Sequence, residues 1–183
     1  MRDMTSFTDA QRDMRYAYFN GAAGAVASAT AWLVSAFMAT LVSSTGGVVS
    51  LIIGGMLIFP ASVMVCKLAG RPGKHSEGNP LAPLAIEGTI WMLLSIPIAV
   101  GVAFYKLEWF FPAMLLVIGG RYFSFATLYG LRVYWVFGAT LAMAGMLLAV
   151  LEAPVAVGAF VGAVIEYVFG LGLFRLQPDT RES

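Results

Sequence analysis

Six apolar stretches of about twenty residues each follow one another along the chain and leave few folds open to it. They are predicted to be transmembrane helices, because a helix needs about 20 apolar residues to cross the hydrocarbon core of a bilayer. The chain is 60% hydrophobic and 11% charged, whereas a soluble domain carries about 25% charged residues. The predicted spans are residues 21–42, 48–68, 81–104, 109–130, 133–151 and 155–174.

The sequence therefore predicts an all-α polytopic membrane protein with six transmembrane helices in a compact bundle. This transmembrane domain covers residues 21–174, with a cytoplasmic segment at 1–20 before it and a cytoplasmic tail at 175–183 after it. The turns at 43–47 and 152–154 are long enough only for hairpins. Successive helices are therefore expected to be antiparallel neighbours.

Residues 8–19 are predicted to form a short element of their own. Thr8 and Gln11 have the spacing of a capping box, which marks the start of a helix. One interpretation is a short helix that lies at the cytoplasmic interface, with a break at Asn20 and Gly21. The other is that the first span extends into the cytosol as one bent helix. The sequence favours neither interpretation.

The positively charged residues predict the orientation. In a six-span topology nine Lys and Arg side chains fall on one side and only Lys106 falls on the other. Cytoplasmic loops carry an excess of Lys and Arg, so both termini are predicted to be cytoplasmic. The nine residues are Arg2, Arg12, Arg15, Lys67, Arg71, Lys74, Arg132, Arg175 and Arg181.

Three ionisable residues, Glu87, Arg121 and Glu166, lie inside the apolar stretches. A lone charge in a bilayer costs from about 3 to more than 10 kcal/mol, so such residues pair, face water or carry a function. At 1.5 Å per residue they lie about 9, 13 and 12 Å from the cytoplasmic ends of their spans. We therefore predict one intramembrane charge cluster, in which Ser124 shares a hydrogen bond with the Arg121 guanidinium.

Two interpretations of this cluster stay open. In the structural one, Arg121 only joins helices, because its planar fork suits pairing with carboxylates. In the functional one, a carboxylate left without a partner binds a proton or a cation. Glu166 shares a stripe of small residues with Gly158 and Gly162, a GxxxG pair that can join helices within a chain or between copies. Glu166 is therefore predicted to be a packing residue, and Glu87 the functional carboxylate.

The loop at residues 70–80 is rich in glycine and proline and also carries basic and polar side chains. Basic groups among glycines are typical of contacts with phosphates or lipid headgroups. The candidates for such a contact are Arg71, Lys74, His75 and Asn79. The alternative is a positively charged cytoplasmic loop that binds nothing in particular.

The composition argues against several classes of function. The single cysteine, Cys66, and the single histidine, His75, leave no cysteine-rich or multi-histidine metal site to predict. A net charge of +1 does not suggest a nucleic-acid partner. We therefore predict no metal, no cofactor and no catalytic residue.

Three motifs carry a resemblance to a known family. They are GKHS at residues 73–76, GNPL at 78–81, and the run WFFPAMLLVIGGRY at 109–122. They resemble a family of small bacterial multi-pass membrane proteins of unassigned function, over about residues 15–174. The resemblance implies a location in the bacterial inner membrane, and it assigns no binding or catalytic residue.

Among functional classes, the charge cluster and the kinks expected at Pro60 and Pro97 favour a transporter or channel for a small solute or ion. The alternative is a structural or accessory membrane protein, as a single copy or a homo-oligomer, in which the charges only pair helices. An intramembrane enzyme that acts on lipid has little support, so an enzymatic role is not favoured. The expected partners are the lipid bilayer, a small solute or ion, and a second copy of the chain.

Overall fold

A computed structural model of the protein describes residues 6–176. Arg2 and Arg181, which contribute to the predicted orientation, lie outside the described residues, as do residues 1–5 of the predicted N-terminal segment and 177–183 of the predicted tail. The helices are α1 (Phe7–Tyr18), α2 (Ala22–Leu41), α3 (Ser44–Leu68), α4 (Ala82–Tyr105), α5 (Phe110–Tyr129), α6 (Val133–Val150) and α7 (Val155–Arg175).

The prediction of an all-α protein with six long apolar helices is confirmed. Within residues 6–176 the regular structure is helical, and by length and composition six helices can cross a membrane. The first of these, α2, is joined to α1 by a 3-10 turn at Phe19–Gly21. Where the bilayer begins and ends along each helix, and which side each end faces, stay predictions.

The long helices pack in an order that differs from their order in the sequence. α2 lies between α3 and α7, α5 packs mainly against α6, and α4 packs against α5. Successive helices are close neighbours in the case of α2 and α3 and of α5 and α6, whereas α6 and α7 touch at fewer positions, with Phe137 stacked on Phe169 at 4.5 Å. The physical reason is that α7 presents its small residues to α2, which lets those two helices approach closely.

Glycines permit the closest helix contacts. A Cβ added at Gly119 would lie 2.8 Å from the Gly138 carbonyl oxygen, so α5 and α6 meet backbone to backbone. On α7, a Cβ at Gly158 would lie 2.8 Å from the Phe111 Cβ, and one at Gly162 would overlap the Trp32 ring. The GxxxG pair of α7 is therefore used inside the chain.

The N-terminal helix α1 is a separate element, as the first of the two interpretations has it. Phe19 and Asn20 have positive φ angles of 54° and 58°, and Gly21 follows at 82°, so the helical path is broken between α1 and α2. The capping box expected at Thr8 and Gln11 is wrong. The Ser6 hydroxyl accepts the N–H of Asp9 instead, because the helix begins two residues earlier.

Hydrogen bonds fasten α1 to the loop between α3 and α4. The Asp13 carboxylate accepts the Ser76 N–H at 2.9 Å, the Ser76 hydroxyl at 2.6 Å and the Asn79 amide at 2.8 Å. Gln11 donates to the carbonyl of Thr127 at the end of α5. The loop and α1 thus form a platform, comprising residues 7–18 and 70–80, at one end of the bundle.

The helices α3 and α4 are the most exposed. Ala99 is the only buried residue within α4, and α3 buries Gly47, Val48, Leu51 and Cys66. Large apolar side chains such as Met56, Phe59 and Leu94 point away from the bundle. Exposure of such apolar surface to water is unfavourable, whereas contact with lipid tails is not.

Candidate functional site

Glu166 lies at the centre of the bundle, on the face of α7 that packs against α2 and α5. Its side chain is 0% exposed. The small residues one turn away on this face, Gly162, Ala163 and Gly170, are buried with it. They allow α2 to approach closely, and this close approach encloses the glutamate.

The bonding of the Glu166 carboxyl group is incomplete. Tyr122 donates to its Oε1 across a long 3.5 Å, and the Ser28 hydroxyl of α2 faces the same group. Its Oε2 is buried and has no hydrogen-bond partner among the described residues. No Lys, Arg or His of residues 6–176 lies within ion-pairing distance of Glu166. Buried polar atoms are almost always bonded, so this orphaned oxygen is unusual.

A second orphaned atom lies on the same pair of helices. Trp32 is 0% exposed, and its indole N–H has no partner within the described part of the chain. Trp32 follows Ser28 by one turn of α2 and packs on Gly162, one turn before Glu166. The seam between α2 and α7 therefore buries an unused acceptor and an unused donor about one helical turn apart.

Arg121 faces α4 and not Glu166. Its Nη1 donates to the Met92 sulfur at 2.8 Å, and its Nη2 donates to the Thr89 hydroxyl at 3.1 Å. Phe125 lies beneath the guanidinium at 5.3 Å. Ser124 was expected to bond the guanidinium, but its hydroxyl donates to the backbone carbonyl of Arg121 at 2.7 Å. All the side chains that hold Arg121 are thus neutral.

Glu87 lies on the opposite side of α4. Successive helical residues are about 100° apart, so Glu87 points about 160° away from Thr89, which faces Arg121. Glu87 is exposed, as are Trp91, Leu94 and Ile98 on the same face, at 71%, 64% and 69%. Within residues 6–176, Glu87 takes part in no hydrogen bond or ion pair.

The structure therefore does not bring the three charges into one ion-paired cluster. Glu166 is enclosed at the centre, Arg121 lies between α5 and α4, and Glu87 lies outside. A buried carboxyl group and a guanidinium that are near but unpaired can each bind a partner independently. Among the described residues, no three His, Cys, Asp or Glu side chains lie together as metal ligands would.

Sequence reasoning did not single out five residues that line these charges: Ser28, Trp32, Thr89, Met92 and Tyr122. Four of them are common residues of apolar helices and carry no distinctive spacing. Tyr122 had a signal, because it directly follows Arg121 and so occupies a neighbouring face of α5. It extends inward and stacks on Phe137 at 3.9 Å and on Tyr134 at 5.8 Å.

The loop residues proposed for phosphate or headgroup contact are occupied by contacts within the protein. Arg71 lies over the ring of Tyr16 at 4.5 Å, and Lys74 is 3.6 Å from Glu77. His75 shares a hydrogen bond with Tyr18 at 2.9 Å. Asn79 is buried and donates to Asp13 and to the carbonyl of Ala10. Three of the four candidates thus hold α1 in place, and headgroup contact stays a prediction.

The six apolar helices define a multi-pass α-helical membrane protein with ionisable side chains inside the bundle. The chain belongs to a family of unknown function, DUF7010, whose match covers residues 7–176. No curated protein and no solved structure matches it.

Proposed function

We propose that this protein transports a small solute or ion, and that Glu166 is the carboxyl group that binds and releases a proton during transport. One observation carries the proposal: Glu166 is fully buried, and its Oε2 has no hydrogen-bond partner among the described residues. A carboxyl group that served packing alone would be satisfied on both oxygens or replaced by an apolar side chain.

The surroundings favour a proton as the bound species. A charged carboxylate is costly among apolar side chains, and a bound proton removes its charge without any further ligand. The Ser28 and Tyr122 hydroxyls can turn to accept or donate as the proton comes and goes. Release then requires that the seam between α2 and α7 open to water.

This proposal assigns the function to a different carboxylate from the one that the sequence favoured. The sequence favours Glu87 because it lies nearer the cytoplasmic end of its span and lacks the stripe of small residues on which Glu166 lies. The same stripe is what encloses Glu166, whereas Glu87 is exposed on the outside of α4. An enclosed carboxyl group can couple its charge to the packing of helices, and an exposed one cannot.

The structural alternative draws on a specific contact, because Arg121 joins α5 to α4 through Thr89 and Met92. That role predicts an Arg–carboxylate pair within a dry core, since a charged partner is what makes a buried arginine a strong link. No carboxylate of residues 6–176 lies within 4 Å of Arg121. The unpaired charges favour transport over a purely structural role.

Proteoliposomes that contain a trapped pH-sensitive dye provide the test. The wild-type protein should collapse an imposed pH gradient faster than empty vesicles in at least one of chloride, nitrate or gluconate salts. Glu166→Gln should abolish this acceleration, whereas Glu87→Gln, the matched control on the lipid-facing side of α4, should retain it. Wild-type vesicles no faster than empty ones in all three salts would refute transport of protons. Equal rates for Glu166→Gln and wild type would remove Glu166 from the mechanism.

A further inference from the structure

We propose that Arg121 is the binding site for a small monovalent oxyanion, such as a carboxylate, and that this anion binds together with the proton on Glu166. The inference names the substrate class for the transport proposed above and so rests on it. It is carried by the incomplete bonding of the guanidinium, by its depth and by the balance of charge between two separated groups.

The guanidinium has donors to spare. Arginine presents a fork of N–H groups that matches the two oxygens of a carboxylate. Here Nη1 donates to a thioether sulfur, a weak acceptor, and Nη2 donates to the Thr89 hydroxyl. The Thr89 hydroxyl in turn donates to the carbonyl of Ala85, so its lone pair is what faces Arg121. Among the described residues, no charged acceptor bonds the guanidinium.

The depth of Arg121 favours a solute over a lipid headgroup. Thr89 and Met92 lie seven and ten residues after the start of α4 at Ala82. At 1.5 Å per residue, the guanidinium that bonds them is about 10 to 15 Å from that end of the helix. Lipid phosphates lie at the edge of the hydrocarbon core, which is about 30 Å thick. Arg121 and Thr89 are both only partly buried, so a small molecule can approach them.

The charges of Arg121 and Glu166 give the anion a reason to bind with a proton. With Glu166 ionised, the two residues sum to zero, and an added monovalent anion would leave one negative charge inside the bundle. With Glu166 protonated, Arg121 and the anion sum to zero. Each arrangement is neutral, and neutral arrangements are the ones that an apolar interior tolerates.

No other charged group of the described elements disturbs this balance. The groups that face Arg121 are Thr89 and Met92 from α4 and the phenols of Tyr122 and Tyr129 from its own helix. Those that face Glu166 are Tyr122 from α5 and Ser28 from α2. Tyr134 of α6 stacks on Tyr122. Phenols are neutral near pH 7, so only Arg121 and Glu166 contribute charge to the site, and only the charge of Glu166 changes.

Binding of acetate to the protein in phosphatidylcholine nanodiscs, measured by isothermal titration calorimetry, tests the inference without any transport step. If one proton enters with each anion, the affinity should rise about tenfold for each unit by which the pH falls between about 8 and 6. Glu166→Gln should bind acetate with no such pH dependence, because its side chain is always neutral. Arg121→Gln should lose binding at every pH, and Glu87→Gln should match wild type.

Three results would overturn the inference: acetate binding by Arg121→Gln at wild-type affinity, an unchanged pH dependence in Glu166→Gln, or no binding by wild type. A thermal melt of each variant shows whether it is folded, and Arg121→Lys, which keeps the charge, should weaken binding without abolishing it.

Nanodiscs with added phosphatidylglycerol test whether the anion at Arg121 is a lipid headgroup or a free solute. Arg121-dependent competition by this lipid would assign the site to a headgroup. Acetate binding by a protein that moves no protons would uphold this site and refute the proposed transport.

Discussion

The contact between Gly162 and Trp32 supports a quantitative prediction for the variant Gly162→Ala. The added methyl group would lie 2.7 Å from both Cδ2 and Cζ3 of the indole and closer still to Cε3. An ordinary contact between such atoms begins at 3.4 Å, so α7 and Trp32 must separate by at least 3.4 − 2.7 = 0.7 Å. Trp32 is fully buried and also packs on Phe111, so the ring cannot swing aside freely.

Overpacking of this kind costs typically about 1 to 3 kcal/mol. Replacing glycine by alanine within a helix contributes about 0.5 to 1 kcal/mol in the opposite direction. The net expectation for Gly162→Ala is a loss of up to about 2.5 kcal/mol relative to wild type, and of about 1 to 3 kcal/mol relative to an alanine that gains the helix term without the overlap. That loss falls on the seam between α2 and α7, which encloses Glu166.

Reversible unfolding in mixed detergent micelles, followed by tryptophan fluorescence, measures this loss. Gly172→Ala is the matched control, because Gly172 lies on the same helix and a Cβ there would meet nothing within 4 Å. The control should be as stable as wild type or slightly more stable. Equal stability of the two alanine variants would refute the packing argument. In the double variant with Trp32→Leu, the cost of Gly162→Ala should shrink, because the smaller side chain removes the overlap.

The remaining predictions concern the platform and the orientation. Asp13→Ala should cost about 1 to 3 kcal/mol and speed proteolysis of the loop at residues 70–80, because three donors from Ser76 and Asn79 lose their acceptor. Asp13→Asn, with one acceptor left, should be intermediate, and identical digestion of all three proteins would argue against the platform. With both termini cytoplasmic, Lys106→Cys should react with an impermeant thiol reagent from outside intact cells and Glu77→Cys only after permeabilisation. The opposite pattern would invert the topology.

The fold class could be predicted from the sequence because a helix that crosses a bilayer needs about 20 consecutive apolar residues, and such stretches are visible in a sequence. The packing order of the helices could not. Short turns such as 152–154 place α6 and α7 in succession, but they do not state how much the two helices touch. That is decided by shape, since Gly162 and Gly170 of α7 fit Trp32 and Ala25 of α2.

The candidate site could be predicted only in part. The stripe of small residues indicated that Glu166 faces another helix, and Glu166 is fully buried. The partners of Arg121 could not be read from the sequence, because Thr89 and Met92 are neutral and a search for opposite charges passes over them. The location of Glu87 depends on the rotation of α4, and the apolar residues around it fit lipid and core equally well.

The platform has a consequence for the way the chain is made. α1 emerges from the ribosome before α2 to α7, yet Asp13 bonds residues 63 and 66 positions later, and Gln11 bonds a carbonyl 116 positions later. None of these partners exists while α2 and α3 are being inserted. α1 can therefore begin to dock only after the loop at residues 70–80 has been made, and it completes its docking only after Thr127 has been made. A nascent chain arrested before Ser76 should therefore leave α1 open to protease, and one arrested between Asn79 and Thr127 should protect it in part.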